Sequence, residues 1–241
     1  MQENIYNLKI PKELIKQYGN TKNKMLPVLS YLYFHMTTEK YIYISIDCLC
    51  SELHLSTKSH GERRSQNIIK EILKQLIDKN IISLIVMDGY TNLDHINNSQ
   101  LFKLSFNTES DWINPISNYV YIDITEYQAI IQNNKHACKA FNVFCRIKSY
   151  ICMDEDCLHI CYPSVKTLCN LCGCSDNTLS SMIKVLYQNK LIYLYKFTDQ
   201  EKIQINRNIE YVFSLKKYDR EQVFNEFLDS SEKNKKKYLT N

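Results

Sequence analysis

Residues 164–175, SVKTLCNLCGCS, take on a definite meaning when set beneath residues 45–56, SIDCLCSELHLS. Four positions are identical: Ser45/Ser164, Leu49/Leu168, Cys50/Cys169 and Ser56/Ser175. Taken alone, Cys169-x-x-Cys172-x-Cys174 reads as a metal or redox motif. The earlier stretch changes that reading, because Leu53 and Leu55 stand where the later one has Cys172 and Cys174. Leucine cannot ligate a metal, whereas a buried thiol packs as a small hydrophobe. The pair of lines therefore predicts a short helix, a turn and the start of a second helix, with the cysteines in the core. Gly173 falls in the turn, where a positive φ is needed, and its counterpart His54 is of a type moderately enriched there.

The correspondence extends in both directions. Downstream, QLIDKNIISL (75–84) matches VLYQNKLIYL (185–194), with nine more residues between the blocks in the first copy. Upstream, IPKEL (10–14) and ITEYQ (124–128) open comparable segments. Each copy then reads as an amphipathic start (11–18; 125–132), an apolar helix (25–36; 136–150), a β-rich stretch (41–44; 158–162) and a short helix (46–53; 164–172). A turn leads to a longer helix with a helical apolar stripe: Ile68, Ile69, Ile72, Leu73 and Leu76, or Leu179, Met182, Ile183 and Leu186. Two β-rich runs close each copy around a polar loop, 88–100 or 198–208. This is the element order of a winged helix-turn-helix. The predicted fold is mainly α with small β-hairpins (α+β), as two tandem winged helix-turn-helix domains. They span 6–107 and 119–216, with a linker at 108–118 and a helix plus basic tail at 217–241.

Composition excludes several classes. With Gly 4 and Pro 4 in 241 residues, the chain lacks the turns of an all-β sandwich and any glycine-rich nucleotide loop. No paired carboxylates or triad stand at a telling spacing, so no enzyme and no cofactor are expected. The amino terminus MQENIYNLKIPKEL has no apolar signal core, and no run is long and apolar enough for a membrane span. The expectation is a cytoplasmic protein with reduced cysteines and no membrane partner. A net charge of +4 is too small to name a polyanionic partner, so the distribution of charge decides.

That distribution is uneven. In the first copy, residues 57–70 carry Lys58, Ser59, His60, Arg63, Arg64, Gln66, Asn67 and Lys70 against one acid, Glu62. Such a mixture of amide, hydroxyl and cation suits a recognition helix, whose amino-terminal part reads base edges while cations hold phosphates. In the second copy the equivalent residues are Asn177, Thr178, Ser180, Ser181 and Lys184, with Lys202 and Arg207 in the expected wing. Ser175 is placed to cap that helix. No metal is expected; the alternative is a zinc site from Cys157, Cys161, Cys169 and Cys172.

Three stretches, IPKELIKQYGNTKNKMLPVLSYLYF (10–34), NIIKEILKQLIDKNIISL (67–84) and the series from FCRIKSYI (144–151) through NTLSSMIKVLYQNKLIYLYK (177–196), carry a family resemblance. Over about residues 6–215 the chain resembles tandem winged-helix proteins of low-GC Gram-positive bacteria and of their plasmids, phages and integrative elements. The resemblance implies sequence-preferring binding of double-stranded DNA, as a homodimer and alongside replication or transcription proteins. Replication initiation is the role expected first. Transcriptional regulation with the same chemistry, and a protein-interaction adaptor that touches no DNA, are the alternatives.

Overall fold

The computed structural model describes residues 7–56, 65–85, 93–132, 136–151, 158–205, 207 and 209–228. The chain divides into two compact units, Met1–Ser149 and Tyr150–Asn241. Lys58, Ser59, His60, Arg63, Arg64, Cys157 and the basic tail lie outside the described residues.

In the first unit β1 (Asn7–Pro11) leads into α1 (Lys12–Tyr18) and α2 (Met25–His35). Then follow β2 (Tyr41–Ile44), α3 (Ile46–Glu52), α4 (Ser65–Asp78), β3 (Ile82–Ile85) and β4 (Phe102–Phe106). The three strands form an antiparallel sheet in the order β2-β4-β3. Alternation sets its two faces: Ile42, Ile44, Phe102, Leu104 and Phe106 are buried, while Tyr41, Tyr43, Lys103 and Ser105 look outward. α4 owes its place to Ile69, Ile72, Leu73 and Leu76, which fill one buried stripe.

The unit continues through β5 (Tyr119–Asp123), α5 (Ile124–Ile131) and α6 (Ala137–Tyr150). β5 pairs antiparallel with β1, from Asn7↔Asp123 to Pro11↔Tyr119. The sequence reading contained neither strand and placed α5 and α6 in the second domain. The structure binds them to the first unit instead. Asn142 Nδ2 on α6 donates to the carbonyls of Asn20 (2.6 Å) and Asn23 (2.9 Å), and Arg146 Nη2 donates to that of Lys16 (2.7 Å). Lys148, 6% exposed, ion-pairs with both carboxylate oxygens of Glu126 at 2.6 and 2.7 Å. Glu126 also closes a capping box at the start of α5 with Asp123. The segment 108–118, read as a linker, belongs to this unit too: Trp112 packs on Tyr18 at 5.8 Å and under Lys79 Nζ at 5.4 Å.

The second unit runs β6 (Ile160–Cys161), α7 (Val165–Cys172), α8 (Asp176–Gln188), β7 (Tyr193–Tyr195), α9 (Asp199–Gln204) and β8 (Val212–Ser214), followed by helical residues 220–228. Its strand order, β6-β8-β7, repeats that of β2-β4-β3. The expected polar loop at 198–208 is corrected by α9, which Thr198 and Glu201 start with a capping box. Behind the sheet, Phe197, Ile205, Ile209 and Val212 pack with Val223 and Phe227 of 220–228. Ile205 and Ile209 flank a stretch too polar to advertise that burial. Among the described residues no helix is long and apolar enough to cross a membrane.

Candidate nucleic-acid interface

The local chemistry of α7, the turn and α8 is set by a few side chains. Ser164 caps α7 by accepting from Thr167 N (3.0 Å). α7 ends at Gly173, whose φ of 58° and ψ of 42° place it in the left-handed region, and Cys174 N then reaches back to Cys169 O (3.1 Å). Ser175 starts α8 by accepting from Thr178 N (3.4 Å). The first unit builds the same device. Ser45 caps α3, His54 takes a φ of 51°, and Leu55 N donates to Cys50 O (2.8 Å). The exits also match: Asn80 (φ 54°) and Lys190 (φ 58°) end α4 and α8, each followed by an amide that reaches back to a leucine carbonyl. The positive φ expected at position 54/173 is present in both units.

α8 buries Leu179, Met182 and Leu186 and turns Asn177, Ser180, Ser181 and Lys184 to solvent. Thr178 is half-buried with its hydroxyl on Ser175, and Ser181 Oγ donates to Asn177 O (2.9 Å), so Asn177, Ser180 and Lys184 are the residues best placed to reach outward. Lys166, absent from the sequence-based set, is exposed one residue into α7 and lines a cleft of about 760 Å³ together with Ser180 and Lys184. The signal for it lay in the alignment: its counterpart is Asp47, so the charge at this position reverses between the copies. Asp176 and Glu210 line the same cleft. The Asp176 carboxylate is turned back onto Cys169, whose Sγ donates to Oδ1 at 3.0 Å.

Other expected site residues are committed elsewhere. Gln66, expected to read bases, is 4% exposed and donates from Nε2 to Asp47 Oδ1 at 2.5 Å. Lys70 Nζ donates to Ile96 O at 2.9 Å, which ties it to the loop before β4. Asn67 remains on the exposed side of α4. Lys202 sits on α9 rather than a hairpin wing and pairs with Asp199 at 3.2 Å. Arg207 donates to Tyr162 OH at 3.2 Å and lies over its ring.

Cys161, Cys169 and Cys172 are buried thiols. Burial pushes the Cys161 thiol up to about 12, and burial together with the Asp176 hydrogen bond holds Cys169 at about 12, so both stay protonated near neutral pH. Among the described residues no three His, Cys, Asp or Glu side chains converge as metal ligands. Cys169 and Cys172 instead sit on the inner side of α7 with Leu168.

An amide, a hydroxyl and lysines on the outer side of a capped helix can hydrogen-bond base edges and hold phosphates. No curated protein matches the chain. Residues 140–192, which run from within α6 through β6, α7 and α8 to the edge of β7, match the family model described as a helix-turn-helix domain. The chain carries a helix-turn-helix domain at these residues, and that domain points to DNA as its partner.

Proposed function

We propose that the protein binds duplex DNA with sequence preference through α8 of the second unit and, by the same fold, through α4 and the residues leading into it. Its role is replication initiation on a plasmid, phage or integrative element, without enzymatic activity of its own. The observation that carries the reading is the outward row Asn177, Ser180 and Lys184 on a serine-capped helix inside the matched segment. The repeated caps, left-handed turns and strand order support reading the first unit as a second winged helix-turn-helix. Two reading heads on one chain suit an origin built from repeated sequences, as the resemblance to initiators implies.

The test is selection of bound duplexes from a random pool and from the DNA of the host element, followed by titration at several salt concentrations. Replacing Lys166 and Lys184 together with alanine should flatten the dependence of log K on log salt by about two, one step for each lost phosphate contact. Asn177→Ala should relax sequence preference with a smaller loss of affinity. Failure of the wild type to bind any duplex would overturn the reading in favour of an adaptor. Recovery of promoter fragments in place of origin repeats would shift the role to transcriptional regulation.

A further inference from the structure

The two three-stranded sheets differ on their outer faces. In the second unit that face is aliphatic and aromatic: Val212 lies in the cluster behind the sheet, Ile160 and Tyr195 pack against it, and Tyr162 meets Phe227 edge-on at 5.0 Å. In the first unit the equivalent face carries Tyr41, Tyr43, Lys103, Ser105 and Ser83, with a single aliphatic, Ile85, at the end of β3 opposite Lys103. Tyr43 is 47% exposed, and register sets Lys103 directly opposite it. Lys103 Nζ rests 3.8 Å from the Tyr41 ring centre and 5.7 Å from that of Tyr43, while the two rings meet edge to face at 5.5 Å.

The β1–β5 pair builds the same arrangement from unrelated residues. Tyr119 and Tyr121 alternate along β5 with buried Val120 and Ile122, and Tyr121 is 44% exposed. Lys9 stands opposite Tyr121 in register, its Nζ 5.0 Å from the Tyr119 ring centre and 6.0 Å from that of Tyr121. Twice in one unit, therefore, a Tyr-x-Tyr strand faces outward with a lysine across from its second ring. Tyr33 joins the two sheets, with its hydroxyl on Asn7 O at 3.2 Å and its ring edge-on to Phe106.

We propose that these two Tyr/Lys faces bind a single-stranded nucleic acid, with bases stacked on the tyrosine rings and phosphates held by Lys9 and Lys103. An aliphatic face would call for a covering helix, as in the second unit. A face of exposed rings interleaved with cations matches the alternation of π-faces and negative charge along an unpaired strand. Among the described residues neither lysine has an ion-pair partner, and Glu39 is hydrogen-bonded to Tyr41; the lysines lie over the rings, an arrangement weak at exposed sites. A phosphate draws the ammonium aside and leaves the ring for a base. A duplex offers these rings no free base face, because its bases are already stacked on one another.

The experiment titrates fluorescein-labelled oligo-dT, oligo-rU and a mixed-sequence duplex with the full chain by anisotropy. Wild type should bind the single strands, the tighter of dT and rU identifying the nucleic acid. Changing Tyr43→Leu and Tyr121→Leu should weaken single-strand binding by about tenfold per ring and leave duplex affinity unchanged. Tyr43→Phe with Tyr121→Phe, which keeps the rings, should retain it. The phenylalanine variant also guards against simple misfolding. No binding of either single strand by wild type, full affinity in the leucine variant, or a change of oligomeric state in place of a change in binding would overturn the proposal. Single-strand binding by a chain that binds no duplex would support it while removing the duplex reading.

Discussion

The α3–α4 and α7–α8 pairs share a serine cap, a left-handed turn residue, a closing amide and a left-handed exit, yet they use their outer side chains differently. In the first pair Asp47 holds Gln66 inside the fold, and Lys70 is tied to the loop carbonyl of Ile96. In the second, the position of Asp47 is taken by Lys166, which is exposed beside Lys184. The positions that dictate backbone geometry recur; those that meet a partner do not. A capped helix pair tolerates any solvated residue on its outer side, so the difference between the two pairs is written there.

The largest expected effect concerns what only the first unit has, the anchoring of α6. Glu126→Ala strands a buried lysine charge, Lys148, and should destabilise the first unit by about 3–5 kcal/mol. The sole tryptophan, Trp112, lies in that unit, so its emission during urea unfolding reads this loss directly. An unchanged midpoint would show that the ion pair does not hold α6.

Asp47→Ala comes next. It leaves the buried Gln66 amide without its acceptor, at a cost of about 1–3 kcal/mol by the same fluorescence measurement. A neutral result would break the contrast between an inward-committed first helix pair and an outward-facing second.

The turn swap is smaller. Gly173→Ala forces a Cβ into a backbone at φ 58° and should cost about 1–2 kcal/mol in the second unit. His54→Gly should relieve the same strain in the first unit, with a gain below 1 kcal/mol because glycine also loosens the unfolded chain. Opposite signs in thermal unfolding would confirm that the two turns are one device; equal signs would refute it.

The smallest effect lies at acid pH. Arg220, with the capping bonds of Thr198, holds the Glu201 carboxyl down to about 2. A depressed pKa gives stability that is complete above the ordinary carboxylate range and fades as pH falls through the folded value. Wild type should therefore lose a little stability of the α9 region between about pH 4.5 and 2, and Glu201→Gln should remove that slope. A variant whose Tm still falls along the wild-type curve would deny Glu201 the role.

Helices marked by an apolar run or stripe were legible in the sequence: α2, α3, α4, α7 and α8 fall where the apolar pattern places them, α3, α7 and α8 behind a capping serine. β1 and β5 were not, because each is five residues long and gains meaning only from a partner far along the chain. α9 had a readable signal, the Thr198-x-x-Glu201 box, outweighed by the polarity around it. Within the site, the outward residues of α8 could be read from its stripe. Gln66 could not be discounted without Asp47, and Asn142, Arg146 and Lys148 look like a solvated side until their partners in the first unit are seen.

The β1–β5 pairing also sets an order of events during synthesis. β1 is translated well before its partner, which follows only after the whole β2–β4 region has been made. At about 5–20 residues per second the wait is roughly ten seconds, far longer than a helix or a hairpin needs to form. The α3–α4 pair of the first unit can therefore assemble while Leu8 and Ile10 still lack their cover. Arrival of Val120 and Ile122 then closes the unit, so a ribosome pausing before residue 119 would leave β1 as an open strand edge on the nascent chain.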